Sequence, residues 1–106
     1  MRDEEFFHYL MNEHGITKPA ARDARARCRK VERELKKDPR WGYKFNLDSQ
    51  YLENRCESVI DFLEYGNREA FSALDLPQKI DGLSSLRSAV RSYVSFCDFH
   101  KPEESA

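Results

Sequence analysis

Residues 16–39 read Ile16-Thr17-Lys18-Pro19-Ala20-Ala21-Arg22-Asp23-Ala24-Arg25-Ala26-Arg27-Cys28-Arg29-Lys30-Val31-Glu32-Arg33-Glu34-Leu35-Lys36-Lys37-Asp38-Pro39, and this stretch decides the fold. Thr17 is a good N-cap, and Pro19 is tolerated in a first turn, where its missing N–H has no helical partner. Nothing from there to Lys37 breaks a helix, and Asp38-Pro39 stops it, because proline disfavours helical geometry in the residue before it. At about 100° per residue, Ala20, Ala21, Ala24, Cys28, Val31 and Leu35 fall within about 60° of Ala24 and form one apolar stripe. The stretch is therefore an amphipathic helix that must pack on others.

Reading outward, the same periodicity predicts three more helices and no convincing sheet. The first runs from Asp3 to Glu13 and ends at Gly15, with Phe6, Phe7, Leu10 and Met11 inward and Asp3, Glu4 and Glu5 at its N-terminus, where negative charge is favoured. A third is expected from a cap at Asp48 or Ser49 to Tyr65, stopped by Gly66, with Leu52, Cys56, Val59, Ile60 and Leu63 as its apolar stripe. Residues 67–76 are ambiguous, with room for a helical turn around Phe71 and Leu74. Pro77 and Gly82 punctuate a loop, and Ser84 or Ser85 caps a last helix that turns Leu86, Ala89, Val90, Tyr93, Val94 and Cys97 inward. The expected fold is all-α, a compact four-helix bundle in one domain over residues 1–100, with a disordered tail at 101–106. Between the second and third helices, residues 40–45 (Arg-Trp-Gly-Tyr-Lys-Phe) alternate basic residues or glycine with aromatics. They read as a short extended connection whose rings plug the end of the core, the alternative being rings that stack on exposed bases.

At 106 residues, 40% of them apolar, the chain can bury a real core, roughly two thirds of its unfolded surface. No run approaches the length of a membrane span and no leader is apparent, so a cytoplasmic protein without membrane contact is expected. Cys28, Cys56 and Cys97 are odd in number, far apart and on apolar stripes, which predicts buried, unpaired thiols. Neither a metal nor a cofactor is called for.

Charge carries the functional signal. Residues 18–44 hold 11 of the 18 Lys and Arg residues and a net charge of +7, leaving −8 for the remainder. Arg22, Arg25, Arg29, Arg33 and Lys36 fall between about 100° and 180° from Ala24, one continuous face. On the opposite flank, Asp23 and Arg27, then Lys30 and Glu34, have the spacing of neutralising pairs. An unbalanced basic face of this kind points to a polyanion, with duplex DNA the first candidate. An internal compensator is available, because Glu53, Glu57, Asp61 and Glu64 make a matching acidic stripe on the expected third helix. Antiparallel packing of the two helices would give a salt-bridge ladder, and the same complementarity would support a head-to-tail homodimer. A protein-interaction module, such as an accessory or inhibitor protein meeting an acidic partner, is the alternative function.

The order of segments resembles the core-binding domain of tyrosine recombinases, the SAM-like N-terminal half of phage integrases. The resemblance rests on Phe6-Phe7-His8-Tyr9-Leu10 running to Gly15, on Ile16-Thr17-Lys18-Pro19-Ala20-Ala21-Arg22, on the helix from Tyr51 to Tyr65, and on residues 83–96 from Leu83 to Phe96. It implies a domain whose second helix meets DNA through Lys18, Arg22, Arg25, Arg29 and Arg33, joined by Arg87 and Arg91, and the basic face adds Lys36 to the expected DNA-binding residues. It implies no catalysis, since that family's nucleophile lies in a separate domain for which this sequence has no room. The chain then reads as an excised domain or a small stand-alone protein of a mobile element.

No P-loop, GxGxxG, HExxH or paired zinc-ligand spacing occurs. Arg2 and His8 fit the loose Arg-x-His spacing of the helical HEPN ribonucleases, a resemblance that chance readily produces in a charged chain. Ser84-Ser85 reads as a cap rather than a nucleophile. No enzyme and no small-molecule substrate are expected.

Overall fold

Helix α2 (Lys18–Leu35) begins as expected, with the Thr17 hydroxyl accepting from the Ala20 N–H at 3.4 Å. The computed structural model describes residues 1–103, and the described residues form only helices and loops. The other elements are α1 (Asp3–Asn12), α3 (Leu47–Asn54), α4 (Glu57–Phe62), a 3-10 helix (Tyr65–Phe71) and α5 (Ile80–Phe99). Helices α1, α2 and α5 pack on one another, and α3 and α4 pack against α5. The result is a slab of about 37 × 36 × 18 Å.

The core follows the apolar stripes. Ala21, Cys28, Val31 and Leu35 of α2 are fully buried, as are Phe6 of α1 and Val90, Tyr93, Phe96 and Cys97 of α5. Phe6 meets Tyr93 edge-on at 5.0 Å and Phe96 at 5.7 Å, geometries that aromatic quadrupoles favour. Helix α1 ends at a turn in which Gly15 has φ +62° and Ile16 donates to the Leu10 carbonyl at 3.0 Å.

The expected third helix is two helices, and this corrects the four-helix reading. Arg55 (φ 56°) and Cys56 (φ 62°) both occupy the left-handed region. Their N–H groups close onto Tyr51 and Gln50 carbonyls at 2.8 and 3.1 Å, which terminates α3. The turn carries the Cys56 thiol into the core, where it donates to the Leu47 carbonyl at 3.5 Å. Val59 and Leu63 follow it inward, whereas Leu52, expected on the apolar stripe, is exposed. Left-handed geometry costs an L-residue about 1–2 kcal/mol, a cost this burial offsets.

Two caps also move. Asn46, rather than Asp48 or Ser49, caps α3 by accepting from the Ser49 N–H at 2.8 Å. Asp48 has tertiary partners instead: its Oδ1 accepts from the Tyr93 hydroxyl at 2.6 Å and from the Arg2 guanidinium at 3.2 Å. Helix α5 starts at Ile80, a turn before the expected Ser84 or Ser85. Gly82 lies inside its first turn, where a Cβ would come within 2.5 Å of the Pro77 Cβ. Of the expected disordered tail, residues 101–103 have no regular structure, but Pro102 is buried, and residues 104–106 lie outside the described residues.

Candidate nucleic-acid interface

The basic flank of α2 meets acids, but from α1 rather than from the third-helix region. Phe7 of α1 packs beneath Arg25, whose guanidinium carbon lies 4.3 Å from the ring centroid. That contact aligns the acidic first turn of α1 with the middle of the stripe. Glu4 takes the Arg25 guanidinium at 3.0 Å, and Asp3 takes Arg29 Nε at 2.7 Å. The Arg29 hydrogen bond holds the Asp3 carboxyl below its ordinary range. The Arg25 side chain is only 16% exposed.

The salt-bridge ladder with Glu53, Glu57, Asp61 and Glu64 does not form. Among the described residues the first three of these acids pair with no cation of α2, and Glu64 lies 3.7 Å from Arg87 instead. The bend at Arg55–Cys56 explains it, because α4 is carried against α5 rather than along α2. The neutralising pairs expected on the other flank are absent too. Lys30 reaches Asp75 at 3.9 Å, and Glu34 is buried, accepting from the Asp75 N–H at 2.8 Å and from Lys37 Nζ at 3.0 Å. Burial opposes ionisation of Glu34, but these bonds outweigh it and its carboxyl stays below the ordinary range. Arg27 faces a depression of about 280 Å³ lined by Ser84, Ser85, Ser88 and Ser92.

The eight expected contact residues thus separate into four groups. Lys18, Arg22 and Lys36 are exposed and form no ion pair among the described residues. Arg33 shares Glu34 with Lys37 but keeps a side chain 59% exposed, and Arg29 is half-exposed on Asp3. Arg25 and Arg87 are held by internal contacts, Arg87 donating to the Leu63 carbonyl at 2.9 Å. Arg91 is exposed and lines a groove of about 490 Å³ with Arg55, Glu57 and Asp61, where two carboxylates balance the two cations.

What remains is a pair of cations at each end of one helix: Lys18 and Arg22, then Arg33 and Lys36. At 1.5 Å per residue the inner members lie about 16 Å apart along the axis, more than the roughly 12 Å width of a major groove. Such spacing lets one helix engage phosphates on both walls of a groove.

The aromatic strip splits by residue. Phe45 is buried, and Trp41 is half-buried with its ring 5.4 Å from Phe45 and 5.5 Å from Phe62. Tyr43 points out, 78% exposed: in the expected extended connection it would share a side with Trp41 and Phe45, but the segment forms two turns that separate it from them. The residues weighed for catalysis go elsewhere. Arg2 is bound to Asp48, while His8 lines a surface depression with Glu5, Glu13 and His100.

Cys28, Cys56 and Cys97 are buried and unpaired as expected. Burial pushes the Cys56 and Cys97 thiols up to about 12 and Cys28 higher still, so none is a thiolate near neutrality. Among the described residues no group of three His, Cys, Asp or Glu side chains is placed to hold a metal, and no helix is long and apolar enough to cross a membrane. Comparison with known proteins finds no matching family model, no matching curated protein and no matching solved structure.

Proposed function

We propose that this chain is a duplex-DNA-binding module that docks through the basic flank of α2, in the manner of the core-binding domains it resembles in sequence. The observation that carries the reading is the cation pair at each end of α2, of which Lys18, Arg22 and Lys36 are exposed with no ion pair among the described residues and Arg33 keeps a side chain 59% exposed beside Glu34. Phosphate contacts from Lys18, Arg22, Arg33 and Lys36 supply the affinity and fix orientation. Arg25 and Arg87 take no part, since both serve the fold, and Arg91 lies apart in a groove whose charges balance.

Four phosphate contacts give a log–log salt dependence of about −3.6, from roughly −0.9 per contact. Fluorescence anisotropy of a blunt duplex across a salt series measures it. A slope near that value supports the reading, and no binding at low salt refutes it. A protein-interaction module would show the second result and would bind an acidic protein surface in its place.

A further inference from the structure

Beyond the end of α2 the chain makes two tight turns that present one aromatic side chain, Tyr43, to solvent. Trp41 and Gly42 both donate to the Asp38 carbonyl, at 3.0 and 2.9 Å, and Phe45 donates to the Gly42 carbonyl at 3.1 Å. The Asp38 carboxylate takes the Arg40 N–H at 2.8 Å and the Arg40 guanidinium at 2.9 Å. Gly42 has φ +82°, a conformation that L side chains rarely adopt, so the turn depends on glycine there. With Trp41 and Phe45 anchored on either side, the backbone at Tyr43 is held, and its side chain is the most exposed large apolar one among the described residues.

Its surroundings differ from those of the other exposed rings. Tyr65 is covered by the Arg68 guanidinium at 4.2 Å, and Phe99 packs on Tyr9 and His100 at 5.4 and 4.7 Å. Tyr43 has no aromatic neighbour among the described residues, only the Lys44 ammonium 5.8 Å from its centroid. Arg33, Lys36, Lys37, Arg40 and Lys44 all lie within this short segment, against Glu34 and Asp38 as its acids. An open ring carried on a held turn in a basic segment is an arrangement that stacks an unpaired base while cations hold the flanking phosphates.

Resting on the reading of α2 as a DNA-binding helix, we propose that Tyr43 is a base-stacking platform, and that the preferred ligand is a duplex bordered by unpaired bases. A duplex interior keeps its bases stacked on one another and offers Tyr43 nothing, whereas an overhang, gap or fork supplies a free face.

The test compares a blunt duplex with the same duplex carrying a short single-stranded overhang, by fluorescence anisotropy, with wild type, Tyr43→Phe and Tyr43→Ala. Wild type and Tyr43→Phe are expected to favour the overhang by about tenfold, the effect of one stacked base. Tyr43→Ala is expected to lose that preference and keep its affinity for the blunt duplex. Equal binding of both probes by wild type, or an undiminished preference in Tyr43→Ala, overturns the proposal while the α2 reading stands. Failure of wild type to bind either probe overturns both.

Discussion

Residues 18–35 and residues 47–62 have similar lengths and similar apolar periodicity, yet the first is one straight helix and the second is bent in two. The difference decides where charge ends up. In α2 the unbroken backbone keeps its cations in register along one side. In the other region the left-handed pair Arg55–Cys56 turns α4 onto α5 and takes Glu57 and Asp61 away from the cations they would otherwise neutralise. A chain of near-neutral total charge therefore keeps a basic face that its own acids only partly cover, through Asp3 and Glu4 of α1 and through Glu34 beside Arg33.

The largest expected effect lies at the start of the bent region. Asp48 joins α3 to α1 and α5 by accepting from Arg2 and from the Tyr93 hydroxyl, and burial together with this bond holds the Tyr93 phenol far above its ordinary range. Asp48→Ala leaves the buried Tyr93 hydroxyl without an acceptor and Arg2 with only Cys97 and Glu5 nearby, and we expect a loss of about 2–3 kcal/mol in urea melts. Arg22→Ala on the exposed flank of α2 is expected to change stability by less than about 0.5 kcal/mol. Equal effects would mean that Asp48 does not anchor the bend.

One substitution made in both regions should have different effects. Arg22→Gly places glycine inside α2 and is expected to cost about 1 kcal/mol. Arg55→Gly puts glycine where φ is 56°, and gives up only an exposed ion pair with Asp98. It should leave the denaturation midpoint unchanged or raise it, since relief of left-handed strain offsets that pair. A loss at Arg55 as large as that at Arg22 would argue against the bend.

The smallest effect concerns the partial cover that α1 provides. Arg29 lowers the Asp3 carboxyl below its ordinary value of 3.8, so the stabilisation is present above that value and fades as pH falls through the lower folded-state value. Asp3→Asn should therefore make melts near neutrality slightly less stable and less sensitive to acid. The same change frees Arg29, and duplex affinity should rise a few-fold with a steeper salt slope. Unchanged affinity would show that Arg29 lies outside the interface.

Much of this molecule was legible in the sequence because the relevant signals are local. The Thr17 cap, the Asp38-Pro39 stop and the apolar stripe of α2 depend on neighbouring residues, as do the bounds of α1 and the burial of the three thiols. The bend was not legible, since neither Arg55 nor Cys56 is a residue that favours a left-handed turn, and burial of Cys56, Val59 and Leu63 overrides that preference. Asn46, Asp48 and Ser49 all have capping side chains, and only the distant Arg2 and Tyr93 show why Asp48 is engaged elsewhere. Gly82 looked like loop punctuation, but the close approach of Pro77 is what requires it. For the candidate site, helical spacing identified the basic face. Which cations stay free depended on where Phe7 seats α1 beside Arg25, and that is a tertiary matter.

The most direct test of the basic face is the duplex affinity of the Arg22→Glu/Lys36→Glu double variant at low salt, taken on protein whose melt matches wild type. Both residues are exposed and form no ion pair among the described residues, so folding should be unaffected while one phosphate contact at each end of α2 is reversed. We expect affinity to fall by about tenfold or more, with the salt slope reduced by about 2. Wild-type affinity in this variant would contradict the assignment of α2 as the DNA-binding helix.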